Sequence, residues 1–201
     1  VGNETNQNAI AAPSVAYHMD GIFIASPFSL QTDFIDVQRI EVLRGPQGTL
    51  FGQNSTGGAI NVISNKPTTD EQFSKADITY GDYGMKQLRS SSNFPISDNV
   101  STKLSLSAMT REGFTENLAT GQDLDDAHNL SFRTDWMVDL NDTTSLRIFG
   151  QYSSVDRNGA AIRGIDDQSP GMRKLSQNTI SKQELTSKVA AMIFETDLGF
   201  A

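Results

Sequence analysis

The chain has no cysteine, one tryptophan, two histidines and six prolines. Without cysteine there are no disulfides, no thiolate metal sites and no cysteine nucleophile. His18 and His128 are lone histidines without partners at ligand spacing, so no metal site is assigned. Neither lies near a Gly-x-Ser-x-Gly elbow. No nucleophile–base–acid set stands out among the many serines, so no catalytic residue is assigned and no enzyme is expected. Positive charge is scarce: 16 Lys and Arg stand against 24 Asp and Glu, for a net charge of −8. No basic stripe is available to neutralise phosphates, and a nucleic-acid partner is not expected. No run of about 18 apolar residues exists, which excludes a transmembrane helix. Hydrophobic residues make up 37%, below the roughly 45–50% usual for globular chains, and few are available for a dry core. The chain has no initiator Met and no signal peptide, and it reads as an internal piece of something longer.

One stretch organises the first third of the chain: Val37-Gln38-Arg39-Ile40-Glu41-Val42-Leu43-Arg44-Gly45-Pro46-Gln47-Gly48-Thr49-Leu50-Phe51-Gly52, then Gly57-Gly58-Ala59-Ile60-Asn61-Val62-Ile63-Ser64. It reads as strand, tight turn, short helical turn, Gly-Gly and strand, with Ile40, Val42 and Leu50 toward a core. Gly45-Pro46 ends the first strand, because proline cannot donate to a ladder and restricts the residue before it. Gly57-Gly58 frees the backbone before the second. The glycines at 45, 48, 52, 57 and 58 fit neither a Walker nor a dinucleotide pattern, so they are read as turn geometry and no cofactor is assigned. Upstream, Asp20-Gly21 between Val15–Met19 and Ile22–Ile24 is a hairpin signal. Phe28, Leu30, Phe34 and Ile35 suggest a short helix over 28–36. Residues 1–67 thus read as a small mixed α+β unit, with Lys66-Pro67-Thr68-Thr69 as a linker.

After residue 70 the texture changes to period 2. Leu130, Phe132, Thr134, Trp136, Val138 and Leu140 fall on one face of a strand. Asn129, Ser131, Arg133, Asp135, Met137 and Asp139 fall on the other. Similar alternation marks 73–80, 86–96, 100–111, 144–152 and 185–197. Six strands follow, most of them longer than the soluble mode of about 5–6 residues and close to the roughly 9–11 that a tilted transmembrane strand needs. Short turns at 97–99 and 141–143 alternate with longer connections at 81–85, 112–127 and 157–184. Sorting of loops by length at the two ends is an outer-membrane barrel signature. A half-buried soluble sheet would alternate in the same way. Trp136, Phe132, Tyr152, Phe94 and Tyr80 are candidates for aromatic girdles. Asp123, Asp125 and Asp126 lack the spacing of a calcium loop and, like Asp166 and Asp167, read as solvated acidic loops.

Joined to this texture, Arg39 through Gly52 with Gly57 through Pro67 resembles the plug domain of TonB-dependent outer-membrane receptors. Tyr17 to Ile22 is similar to the hairpin before it, and Tyr80-Gly81-Asp82-Tyr83-Gly84 to the tip joining the first two barrel strands. The resemblance implies a mixed α+β plug piece over 1–67, followed over 68–201 by the first antiparallel strands, about six, of an incomplete transmembrane β-barrel. It implies active transport of a scarce nutrient, a ferric siderophore first among them, across the bacterial outer membrane. The implied partners are outer-membrane lipid, the nutrient ligand and the inner-membrane TonB complex, which pulls on an N-terminal box outside this sequence. It also implies that Arg44 locks plug to barrel wall, with Glu41 and Arg39 as neighbours competing for that role. Six strands leave two open edges, which lipid does not tolerate, so these 201 residues alone are expected to form no conducting pore. The alternative from another class is a non-transporting β-sheet ligand-binding or surface module.

Overall fold

The structure, a computed structural model, describes residues 14–24, 35–52 and 54–199. The chain divides into two units, Val1–Asn65 and Lys66–Ala201.

The described part of the first unit is one four-stranded sheet. β1 (Val15–Met19) turns through Asp20-Gly21 into β2 (Ile22–Phe23); β3 (Val37–Arg44), the short helix α1 (Gly48–Phe51) and β4 (Gly58–Ser64) follow. The order is β2-β1-β4-β3, with β1 parallel and β3 antiparallel to β4. Asp20 and Gly21 both adopt positive φ, 51° and 80°, as a two-residue hairpin turn with the strands' own twist requires. Ala16, Ala59 and Val62 are buried.

Two expectations are corrected here. Ile40 and Val42 do not face a core: they are 52% and 62% exposed, because β3 is the edge strand and the described residues leave that face open there. The side chain of Leu50 lies outside the described residues. Helix content is also lower than a mixed α+β unit implies. α1 spans only four residues, hemmed between Gly45-Pro46 and the positive-φ Gly52. The helix expected over 28–36 falls outside the described residues except Ile35 and Asp36, which are not helical.

The second unit contains a six-stranded antiparallel sheet in the order β13-β11-β10-β7-β6-β5. Its strands are β5 (Phe73–Gly81), β6 (Met85–Ser97), β7 (Val100–Arg111), β10 (Ala127–Asn141), β11 (Thr144–Asn158) and β13 (Lys182–Thr196). Consecutive strands of this sheet are neighbours throughout, and β5 and β13 are its edges. The turns are built by side chains that prefer turns. Asn141 Oδ1 accepts from Thr143 N at 3.0 Å. Asn99 reaches the next turn, its amide donating to the Asp139 carbonyl at 3.3 Å.

The 81–85 connection, expected among the longer loops, is a tight turn. Tyr83 and Gly84 take φ of 59° and 63°, and Met85 N donates to the Asp82 carbonyl. The 157–184 loop is shorter than expected, because β11 and β13 stay paired out to Asn158 opposite Lys182. The two long connections also build a small sheet of their own that the alternation did not indicate: β8 (Thr115–Asn117), β9 (Gln122–Leu124) and β12 (Lys174–Leu175), in the order β12-β8-β9.

Candidate functional site

In a half-buried soluble sheet the apolar face is the buried one. The six-stranded sheet reverses this. Leu130, Phe132, Trp136 and Leu140 on β10 are all exposed, as are Leu104 on β7, Ile148 and Tyr152 on β11 and Met192 and Phe194 on β13. The polar residues between them are buried: Ser131, Arg133 and Asp135 on β10, Lys103, Ser105 and Ser107 on β7, Arg147, Gln151 and Ser153 on β11. Burying charge costs several kcal/mol unless it is paired, and here it is paired. Asp135, 2% exposed, accepts from Arg147 at Nε–Oδ1 2.9 Å and Nη2–Oδ2 2.6 Å, a bidentate fork. Arg133 Nη2 donates to the same carboxylate at 3.0 Å. The Arg133 guanidinium lies 4.0 Å from the centroid of the buried Phe149 ring, a cation–π contact. Lys103 stands level with Asp135 in the register. This face carries more positive than negative charge, in a chain whose total is −8.

In the first unit Glu41 joins β3 to β4. Its Oε1 accepts from Arg39 Nε at 2.8 Å and its Oε2 from Asn61 Nδ2 at 3.1 Å. The Arg39 hydrogen bond, then that from Asn61, holds the Glu41 carboxyl below its ordinary pKa. Asn61 Oδ1 in turn accepts from Gly21 N at 3.2 Å, and Asp20 accepts from Ser64 N and Oγ. The hairpin and the two long strands are therefore tied together through side chains. His18 is buried, and burial pushes its pKa down.

Arg44 lies on the opposite face from Glu41 and is exposed. No carboxylate among the described residues forms an ion pair with it; its carbonyl accepts from Gln47 Nε2 at 3.4 Å, and its backbone pairs with Gly58 in the ladder. Arg39, not Arg44, pairs with Glu41. The turn residues fall in one loop: Gly45 N donates to Gly57 O at 3.3 Å and Gln47 N to Ser55 O at 2.9 Å. Pro46 and Gly48 lead into α1, and Gly52 ends it. At Gly58, φ is 146° and a Cβ would sit 2.4 Å from the Leu43 carbonyl oxygen, so only glycine lets β3 and β4 approach this closely.

Three of the acidic loop residues accept from backbone and side-chain donors. Asp125 accepts from Thr115 Oγ1 at 2.6 Å and Ala161 N at 3.3 Å, and Asp126 from Asn158 N at 2.6 Å. Asp167 accepts from Ser169 and Ser176, which lowers its pKa. Among the described residues no group of three or more metal-ligating side chains gathers. Sequence reasoning missed the residues that bind the long loops together. Asn117, fully buried, donates to Gln177 O at 2.8 Å and accepts from Gln177 N at 3.0 Å. Gln122 pairs with Ser181 in the same reciprocal way. Phe114, beside Tyr83, is flanked by the guanidiniums of Arg111 and Arg173. A buried amide inside a polar loop leaves no periodic trace, so no sequence signal marks it.

Residues 4–59 match the family described as TonB-dependent Receptor Plug Domain. The pesticin receptor of Yersinia pestis is 33% identical over 113 residues, covering 55% of this chain and 16% of that protein. The catecholate siderophore receptor Fiu of Escherichia coli K12 is 36% identical over 73 residues, covering 34% of this chain and 9% of that protein. The chain thus spans a small part of the length of the curated relatives it matches. Among solved structures, the ferric yersiniabactin uptake receptor FyuA of Yersinia pestis superimposes with a TM-score of 0.72 at 22% identity, over 90% of this chain and 29% of that one. The outer-membrane ferripyoverdine receptor of Pseudomonas aeruginosa gives 0.67 at 19% identity, over 88% and 25%. At these identities the two structures establish likeness of fold.

Proposed function

We propose that this chain is part of a TonB-dependent outer-membrane receptor and serves active uptake of a scarce nutrient, a ferric siderophore in the first instance, powered through the TonB complex. The observation that carries the reading is the reversed sheet, with exposed apolar side chains on one face and buried, paired charges on the other. Lipid on the outside and a polar lumen inside account for both faces at once. A non-transporting soluble module would leave the thirteen exposed large apolar side chains of this sheet in water without return.

The slant of the apolar band supports the same reading. On β5 it centres on Ile78 and on β13 on Met192. Through the registers, Ile78 lies level with Leu130 and Met192 with Trp136. The band therefore slips about six residues, roughly 20 Å, while crossing roughly 24 Å of sheet. That is an inclination of about 40°, within the range of transmembrane barrel strands. On this reading residues 1–67 are the C-terminal part of the plug and 68–201 the first barrel strands, with Trp136, Phe132, Tyr152 and Tyr80 in lipid-facing positions. Arg44 is the residue we assign to locking plug to wall, since it is exposed and has no carboxylate partner among the described residues, while Arg39 and Glu41 pair with each other. The role is transport, with no catalytic group assigned.

The names of the relatives point to the cargo: one is a catecholate siderophore receptor and another a ferric yersiniabactin uptake receptor. Growth of a deletion strain on single iron sources tests it. Loss of growth on at least one ferric siderophore, restored by the intact gene, is the expected result. Unimpaired growth and unimpaired radiolabelled-iron uptake on every chelate would remove the siderophore assignment.

A further inference from the structure

The segment from Lys66 to Glu71 has the composition of a free linker, yet it is fastened. Asn93, in the interior of β6, is fully buried. Its Oδ1 accepts from Thr68 N at 3.0 Å, and its Nδ2 donates to Thr68 O at 2.8 Å and to Glu71 O at 2.6 Å. The two bonds to Thr68 reproduce one rung of a β-ladder, with a side-chain amide in place of a strand. A bend reinforces the hold: Asp70 N and the Asp70 carboxylate both bond Thr68 Oγ1. Phe73, the first residue of β5, pairs in register with Asn93 itself. Tension arriving along the chain from the N-terminal side therefore meets the three Asn93 bonds before it meets the first rung of β5. The bonds to Thr68 load together, ahead of the β5–β6 ladder, whose first rung is Phe73 with Asn93. Lys66 adds an exposed ion pair to Glu195 at 2.9 Å, which as a surface pair contributes little.

We propose that Asn93 is a mechanical stop, a clamp that arrests force-driven unravelling of the chain at Thr68 and keeps tension off β5. The inference rests on the uptake reading above, in which the first unit is pulled. Transport by pulling requires one part of the chain to yield while the wall holds, and a fully buried, reciprocally bonded amide at the first rung supplies that division. Asn93 acts through the linker and is a positioning residue, without contact to cargo.

The test is single-molecule pulling on the full-length receptor in a bilayer, with the handle at its N-terminal end. The variants are Asn93→Ala and Thr68→Pro, the second removing the Thr68 N–H while leaving β6 untouched. Heat-modifiable gel mobility identifies folded receptor, and Thr68→Pro carries the test if Asn93→Ala does not assemble. Wild type is expected to pause with the chain unravelled as far as Thr68. Asn93→Ala is expected to lose the pause and release residues 68–72 at once, about 17 Å more contour length, and Thr68→Pro, which keeps the bonds to the Thr68 and Glu71 carbonyls, to leave the pause at lower force than wild type. Lys66→Ala should keep the pause. The same pause in wild type and both variants, or a pause elsewhere in the chain, overturns the stop. Proton-motive-force-dependent uptake by the wild type, measured alongside, separates the two ideas. If uptake persists and the pause is unchanged, only the stop fails; if wild type takes up nothing, the transport reading fails.

Discussion

Single residues here act by what they exclude or hold. Gly58 is the tightest backbone approach in the first unit. A Cβ there meets the Leu43 carbonyl oxygen at 2.4 Å, at a φ of 146°. Gly58→Ala is expected to cost at least about 1–3 kcal/mol from backbone strain alone, seen as faster hydrogen exchange of the β3–β4 amides. Asp135 holds two buried arginines. Asp135→Asn leaves Arg133 and Arg147 without their carboxylate, and removing one partner of such a set costs about 3–5 kcal/mol. A lowered midpoint of the heat-modifiable gel shift would register it; an unchanged midpoint would mean the arginines are held by other groups. Two titrating residues among the described ones contribute to the acid response of the first unit. Both have folded-state pKa values below their unfolded ones, so each stabilises fully above the unfolded value and is lost as pH falls through the folded one. For His18 the loss begins below roughly pH 6.5, and for Glu41 below roughly pH 4.3. Protection of the β3–β4 amides, corrected for the intrinsic pH dependence of exchange, is expected to fall in two stages on acidification, with Glu41→Gln reducing the second.

At the level of elements, the six long strands and the two long loops are stabilised in different ways. The strands take their register from alternation, since a one-residue slip would exchange the two faces. Leu104 sits in the middle of the exposed apolar band. Leu104→Lys is expected to cost about 2–4 kcal/mol if that face meets lipid at mid-depth, whereas in a soluble sheet an exposed lysine would be harmless. The folded fraction after refolding into bilayers reads this directly. The loops at 112–126 and 159–181 pack few of their apolar side chains: Leu124 and Leu175 are buried, while Leu118, Ile162, Ile165, Met172 and Ile180 are exposed. Asn117 and Gln122 join them through backbone amides instead, which a buried polar group must do to avoid the cost of lost hydration. Asn117→Ala should free the 159–181 loop, seen as faster cleavage there in limited proteolysis, without changing the gel-shift midpoint of the strands.

For the molecule as a whole, the proposed activity draws its energy from outside the protein, through the TonB complex. Collapsing the proton-motive force in cells carrying the full-length receptor is expected to abolish uptake of the ferric siderophore while leaving its surface binding intact. Binding and uptake falling together would argue against energised transport.

The sequence by itself determined a good deal. Period-2 alternation specified the six strands and which residues share a face. Glycine, proline and asparagine specified the turns, because φ and missing N–H groups are local properties. The run from Arg39 to Pro67 was legible as a family pattern for the same reason, since its glycines answer to local backbone geometry. Which face is buried is not a local property. Alternation is identical whether apolar side chains point to a core or to lipid, and only the folded sheet showed the polar face enclosed and Ile40 and Val42 left exposed on an edge. The same holds for the clamp and the loop joints. Asn93 and Asn117 are ordinary asparagines in the sequence, and their partners lie 25 and 60 positions away. A hydrogen bond across that distance is decided by tertiary approach, which no local pattern records.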